Sequence, residues 1–157
     1  MVTYGLIKRQ EVSPEVFDTF CKLCHDRVVL ENLKTNGGTL LFPHAVFCSN
    51  ALLLATIEDE IIGFLALGLR DDNQAYITQI AVKNEYKRQG IGREFINLTT
   101  EITEEIIADV KSFNSVSQQF FEALGFTKDL ECSSETNYLY RNKINTKQKR
   151  KENYENK

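Results

Sequence analysis

The chain has 157 residues, of which 42% are hydrophobic and 26% charged. This balance fits one globular domain that is large enough to bury its own core. Its apolar runs are far shorter than the roughly 20 residues of a membrane span, and residues 1–10 lack a signal-peptide pattern. We therefore expect a cytoplasmic protein without a membrane partner.

The charge is unevenly distributed along the chain. Residues 142–157 hold six basic and two acidic side chains, so they carry +4 of a chain total of −3 and the remainder carries −7. The segment has few apolar residues, which is typical of disorder. We divide the chain into a domain of residues 1–141 and a basic tail of residues 142–157, and a solvated tail is favoured over a nucleic-acid-binding arm. The acidic remainder favours long-range attraction of a cationic amine.

The first half of the chain predicts a strand followed by helical segments. Residues 3–9 alternate as a strand does. Ser13 as N-cap and Pro14 at the first helical position predict a helix that runs to about Val29. A second, short helical piece is expected to end near Gly38.

The next segments predict strands first and then alternating strands and helices. Residues 51–58 and 61–70 form a predicted hairpin, and residues 75–82 follow as a further antiparallel strand. Then come a helix from Ile91, a strand at 105–110, a helix at 115–124 that ends at Gly125, an extended stretch from Phe126 and a last strand at 137–141. A meander followed by strand–helix–strand–helix predicts a mixed α/β sheet.

The cysteines have two interpretations. Cys21 and Cys24 with His25 match the C-x-x-C-H pattern of covalent haem attachment. The same cysteines lie on an apolar helical stripe, where cysteine acts as a small buried hydrophobe, and core packing is the favoured interpretation. Cys48 and Cys132 do not form a second C-x-x-C pair that would suggest zinc. We expect no haem and no metal.

The segment after residue 82 is a candidate phosphate-binding turn. A strand leads into a basic, glycine-bearing turn that opens a helix, and the unpaired amides of a helix N-terminus bind phosphate. Gly90 and Gly92 remove side chains that would keep the backbone away from a ligand, and Lys87, Arg88 and Arg93 add positive charge. An ordinary loop with glycines for packing is the alternative. The spacing excludes the P-loop and the dinucleotide fingerprint.

Two motifs carry a resemblance to a known family. Residues 87–92, Lys-Arg-Gln-Gly-Ile-Gly, resemble the [QR]-x-x-G-x-[GA] signature of GNAT acetyltransferases, with Lys87 in place of Arg or Gln. Lysine keeps the charge but loses the planar fork of arginine. Residues 114–126 are similar to the family's N-x-x-A-x-x-[FL]-Y-x-x-x-G-F segment, with Ser117 at the alanine and Phe121 at the tyrosine.

The resemblance implies a fold and a donor. The fold is the acyl-CoA N-acyltransferase fold, a mixed and mostly antiparallel sheet of six to seven strands flanked by about four helices. The implied acyl donor is acetyl-coenzyme A, which enters between the strands at 75–82 and 105–110. The implied binding residues are Ile80, Ala81, Val82, Lys87, Arg88, Gln89, Gly90, Ile91, Gly92, Arg93, Asn114, Ser117 and Phe121.

The resemblance also implies direct attack of an amine on the thioester, with a backbone amide near Ile80 or Ala81 polarising its oxygen. In many relatives, a tyrosine at the position of Phe121 protonates the leaving thiolate, and phenylalanine has no proton to give. Tyr138, Tyr140, a water or unassisted departure remain open as substitutes. For the base, Gln79 would orient a water. Glu58 and His44 are alternatives by chemistry alone, and a water chain is preferred.

Rival functions remain at this point. One is an enzyme that acetylates a primary amine of a small molecule or protein. Another is a catalytically weak acetyl-coenzyme A sensor, motivated by Phe121 and the missing base. A nucleic-acid binder with a basic tail ranks last. Residues 27–50 and the last strands would set acceptor specificity, and a homodimer is left open by the resemblance.

Overall fold

The computed structural model describes residues 1–24 and 49–143. Two 3-10 turns, Arg9–Glu11 and Asn84–Tyr86, accompany the main elements. In chain order those elements are β1 Thr3–Lys8, α1 Pro14–Cys24, β2 Ala51–Ile57, β3 Glu60–Leu69, β4 Gln74–Val82, α2 Ile91–Ile102, β5 Glu105–Lys111, α3 Ser115–Ala123, β6 Thr127–Asp129 and β7 Asn137–Lys143.

The predicted elements within the described residues are confirmed, with ends that shift by a residue or two. The end of the first helix at Val29, the helical piece near Gly38, and residues 144–157 lie outside the described residues. Strand β7 continues to Lys143, so the first two residues that the sequence analysis assigned to the tail belong to the sheet.

Side-chain and glycine caps set the ends of two helices. The amide of Val16 donates to Oγ of Ser13 at 3.2 Å, as predicted for the N-cap of α1. Helix α3 ends at Gly125, whose φ of 85° is left-handed. The amide of Phe126 donates to the carbonyl of Phe121 at 3.0 Å, and the two rings pack 5.0 Å apart. This is a Schellman C-cap with its hydrophobic contact.

The described strands form one sheet in the order β1-β2-β3-β4-β5-β7-β6. Every neighbouring pair is antiparallel except β4 and β5, which are parallel. The chain crosses from β4 to β5 through α2, because parallel strands need a crossover connection. The predicted mixed, mostly antiparallel α/β sheet is confirmed.

Two hydrophobic clusters pack on opposite faces of the sheet. On the first face, α2 and α3 bury Phe95 and Phe121 against alternate residues of the central strands, including Ile77 and Ala108. We call this the α2–α3 face. On the other, α1 packs Leu23 against a second set of strand residues, Leu52, Phe64, Ala66 and Ala81. We call this the α1 face.

Candidate functional site

A gap opens between the two parallel strands. Strand β4 pairs with β5 only from Gln74–Glu105 to Ile77–Ala108. Beyond these pairs β4 stays bonded to β3 up to Val82, while β5 stays bonded to β7 up to Lys111. Among residues 1–24 and 49–143, the facing edges of β4 and β5 are therefore unpaired past this point, and such an edge can accept a ligand as an extra strand. The separation expected from the resemblance is present.

The hydrogen bonds of β4 show which residues turn their backbone to the gap. The amide of Lys83 donates to the carbonyl of Ile62 in β3 at 2.7 Å. Backbone groups alternate in direction along a strand, so Ala81 also faces β3, and Ile80 and Val82 face the gap. Of the two predicted donors to a thioester oxygen, Ile80 therefore has the suitable orientation and Ala81 does not.

The N-terminus of α2 presents unpaired amides at the end of β4. The amide of Glu94 donates to the carbonyl of Gly90 at 2.9 Å, which closes the first turn. Within the described residues, the amides of residues 89–93 find no acceptor. Gly90 has a φ of 83°, and apart from its chain neighbours a Cβ there would meet no atom of the described residues within 4 Å. Open space beside free amides at a positive helix end fits an anionic group.

Cationic side chains surround this turn. Arg88 and Arg93 are exposed and Lys87 is half-buried. Arg88 has a left-handed φ of 62°, a conformation that costs a non-glycine residue about 1–2 kcal/mol. Lys83 serves a different purpose, because its ammonium contacts Glu60 at 2.6 Å and Glu85 at 3.4 Å. The three predicted cations lie within or next to the turn in sequence, at residues 87, 88 and 93.

Gly92 has a packing role, which the sequence analysis gave as the alternative interpretation of the glycines in this turn. A Cβ on Gly92 would lie 2.9 Å from Cε2 and 3.0 Å from Cζ of Phe120. The glycine therefore lets the Phe120 ring of α3 approach the first turn of α2. For Gly92, the alternative interpretation as a packing glycine fits the structure, whereas Gly90 borders open space.

The second motif organises the start and the core face of α3. Oδ1 of Asn114 accepts from the amide of Ser117 at 3.1 Å, so Asn114 is the N-cap. Phe121 is 3% exposed and contacts Phe120, Phe126 and the ring of Tyr140. Phe121 is therefore a core residue.

The two candidate tyrosines of β7 have different surroundings. The Tyr140 hydroxyl donates to Oε1 of Glu122 at 2.8 Å, and burial followed by this carboxylate raises its pKa to about 12. Tyr138 is half-buried on the α2–α3 face, opposite Val110, and Nζ of Lys128 lies 3.4 Å from its ring centre. The described residues offer no hydrogen-bond partner to the Tyr138 hydroxyl. The two hydroxyls therefore differ, because that of Tyr140 is bonded to Glu122 and that of Tyr138 is unbonded among the described residues.

The α1 face of the gap carries one polar side chain on each strand, Gln79 on β4 and Asp109 on β5. Gln79 pairs with Ala66 of the α1-face cluster, and directly paired residues point to the same face. Asp109 alternates with Ala108 and Val110, which point to the other face. Both residues lie just past Ile77–Ala108, the last pair before the gap.

Asp109 is a residue that the sequence analysis missed. It is exposed, and its Oδ1 accepts from Nδ2 of Asn137 at 2.9 Å. Burial and, next, the negative charge of Asp109 raise the pKa of Tyr76 on the same face. Alternation along residues 105–110 separates Ile106, Ala108 and Val110 from Asp109, so this pattern was a signal for a carboxylate on the opposite face.

The other predicted bases do not lie in the gap. Glu58 occupies the β2–β3 turn with a φ of 48°, on the far side of β4 from β5. His44 and the histidine of the C-x-x-C-H pattern lie outside the described residues. Among residues 1–24 and 49–143, no group of three or more potential ligands could hold a metal ion, and no helix could cross a membrane.

Comparison with protein families identifies a match over most of the chain. Residues 23–126 match the sequence model of the acetyltransferase (GNAT) family. This range includes β4, the turn at residues 87–93, α2, β5 and α3. None of the curated proteins compared with the chain matches it.

Solved structures share the fold at low sequence identity. The ribosomal-protein-S18-alanine N-acetyltransferase of Escherichia coli is 16% identical with a TM-score of 0.61, over 92% of this chain and 94% of that one. The PaiA N-acetyltransferase of Thermoplasma acidophilum, in complex with coenzyme A, is 15% identical with a TM-score of 0.64, over 92% and 99%. A Bacillus anthracis protein assigned as a streptothricin acetyltransferase, in complex with acetyl-coenzyme A, is 22% identical with a TM-score of 0.53, over 60% of this chain and 62% of that one.

Proposed function

The chain belongs to the GNAT acetyltransferase family, a family of acyltransferases, and we propose that it transfers the acetyl group of acetyl-coenzyme A to a primary amine of a small molecule or protein. The observation that carries the proposal is the combination of an unpaired strand edge with free amides at its end. Ile80 and Val82 turn their backbone to the gap. Gly90 then opens α2, where the amides of residues 89–93 have no acceptor within the described part of the chain and basic residues stand at 87, 88 and 93.

Each part of this arrangement suits one part of the donor. The amides of residues 89–93, with Lys87, Arg88 and Arg93, would hold the diphosphate. The backbone of Ile80 and Val82 would pair with the extended pantetheine arm. The acetyl thioester, once bound, would supply the acyl group, and the Ile80 amide would stabilise negative charge on its oxygen.

The two faces of the gap support separate roles for acid and base. In the proposed reaction a nitrogen–carbon bond forms, the carbon–sulfur bond breaks, the amine loses a proton and the thiolate gains one. Asp109 and Gln79 share the α1 face, so Asp109 would attract the acceptor ammonium and take its proton, and Gln79 would orient the amine or a water. Tyr138 on the α2–α3 face would protonate the thiolate.

The proposal is tested by coenzyme A release on a panel of primary amines. The wild-type chain is expected to release thiol with at least one amine. Asp109→Asn is expected to lower kcat/KM by about 10²-fold, while Asp72→Asn, in the exposed β3–β4 turn, is expected to change it little. Asp109→Asn activity equal to wild type would remove Asp109 from the mechanism. The cytoplasmic location and the homodimer stay predictions from the sequence.

A second candidate function is a catalytically weak acetyl-coenzyme A sensor. The observation that favours it is Phe121, which fills the core where many relatives place the acid. A sensor predicts tight binding of acetyl-coenzyme A without thiol release on any amine in the same panel, and unchanged binding in Tyr138→Phe.

A further inference from the structure

Strand β4 contains a bulge where it leaves β5. Ala66 of β3 pairs with Gln79 and Leu67 pairs with Ile77, so Thr78 is an extra residue without a partner on β3. Ile77 is also the last residue of β4 that pairs with β5. A bulge bends its strand and increases the local twist. The bend at Thr78 therefore accounts for the direction in which β4 departs from β5.

The Thr78 side chain fixes this bulge through two hydrogen bonds. Its Oγ1 donates to the carbonyl of Ala66 at 3.1 Å. The hydroxyl of Ser49 lies 2.7 Å from the same Oγ1. A hydroxyl has one proton, which Thr78 gives to Ala66, so Ser49 donates to Thr78. Ser49 is 1% exposed and Thr78 is half-buried, so the interaction is partly buried.

The residue that follows Ser49, Asn50, is hydrogen-bonded to β3. The amide of Asn50 donates to the carbonyl of Leu67 at 3.0 Å. Its side chain accepts from the amide of Leu69 at 2.7 Å and donates to the carbonyl of Leu69 at 2.9 Å. Ser49 thus directly precedes a residue that is hydrogen-bonded to β3, and it contacts the bulge through Thr78.

We infer that Ser49 and Thr78 are positioning residues, which hold the β4 bulge in the shape that keeps the gap open for the donor's extended arm. The inference rests on the proposed function, because it assigns the gap to acetyl-coenzyme A. Neither side chain takes part in the chemistry. Both act through the path of residues 78–82, and hence through the placement of the Ile80 and Val82 backbone.

The test compares variants that keep or lose the hydroxyl at nearly constant shape. Thr78→Val is expected to weaken coenzyme A binding by about tenfold in calorimetry and to raise KM for acetyl-coenzyme A more than KM for the amine. Thr78→Ser keeps the hydroxyl and is expected to bind within about twofold of wild type. If Thr78→Val does not fold, Ser49→Ala takes its place, with an expected loss of about fivefold.

The matched control is Thr103→Val. Thr103 is 5% exposed, and its hydroxyl lies within hydrogen-bonding distance of the carbonyls of Asn73 and Glu105, so its one proton is donated at the end of β4 and β5 away from the gap. This control is expected to lower stability without changing coenzyme A binding. Unchanged binding in Thr78→Val, or an equal loss in Thr103→Val, would overturn the inference while the proposed function stands. No binding by the wild-type chain would overturn the proposed function, and the inference with it.

Discussion

Replacement of Gly90 by alanine separates ligand contact from backbone strain, because the chain contains a matched control. Gly90 has a φ of 83° and Gly125 a φ of 85°, and among the residues that the structure describes a Cβ at either position would meet only its chain neighbours within 4 Å. A left-handed conformation costs an L-residue about 1–2 kcal/mol. Each alanine variant is therefore expected to lose about that much stability, or roughly 3–6 °C in Tm for a domain of this size.

The two variants are expected to differ in coenzyme A binding. The methyl group at residue 90 would occupy the open space beside the free amides of α2, where the diphosphate is proposed to lie, whereas Gly125 caps α3. Calorimetry should show binding weakened by at least about tenfold in Gly90→Ala, equal to 1.4 kcal/mol, and little change in Gly125→Ala. Equal affinities in the two variants would refute the assignment of this space to a phosphate.

Three further predictions concern single side chains. Tyr138→Phe is expected to lower kcat by about 10²-fold, while Tyr140→Phe leaves kcat unchanged. Measurement of kcat against pH in both variants tests this, and equal effects on kcat would contradict the assignment of Tyr138 as the acid. The pKa of Tyr140 is raised from 10.0 to about 12 by burial and then by Glu122, so its contribution to stability is complete below pH 10 and is lost as the pH rises towards 12. The free energy of unfolding measured with urea should therefore fall between pH 10 and 12 in the wild type, and fall less in Tyr140→Phe. An identical pH dependence in the two proteins would refute the coupling of Tyr140 to stability. Glu58 and Asp59 both have positive φ in a two-residue hairpin turn. The double variant Glu58→Asn, Asp59→Gly should therefore raise the free energy of unfolding by about 1–2 kcal/mol, and an unchanged Tm would contradict this.

Local sequence patterns were sufficient for the elements and for the phosphate-binding turn. The capping of α1 by Ser13, the end of α3 at Gly125 and the opening of α2 after Gly90 each depend on residues that are close in sequence. The order of strands and helices then limited the sheet to a mixed arrangement. The separation of β4 and β5 followed from the family resemblance and not from the residues of either strand.

Contacts between distant segments could not be predicted in this way. Position 92 requires a residue without a side chain, because Phe120 of another helix packs against it. The bulge at Thr78 depends on Ser49 and on the register with β3, which no local pattern encodes. Asp109 could in principle have been predicted as a surface carboxylate, since strand alternation separates it from Ala108. Its place beside the gap could not, because that depends on where the pairing of β5 with β4 ends.

The central claim, that free amides at the start of α2 hold the donor's diphosphate, is tested most directly by amide chemical shifts in a nitrogen-15-labelled chain titrated with coenzyme A. The account predicts that the amides of residues 89–93 shift most, together with Ile80 and Val82, and that the amide of Gly125 stays in place. Saturable binding that leaves residues 89–93 unshifted, or no binding at millimolar coenzyme A, would contradict it.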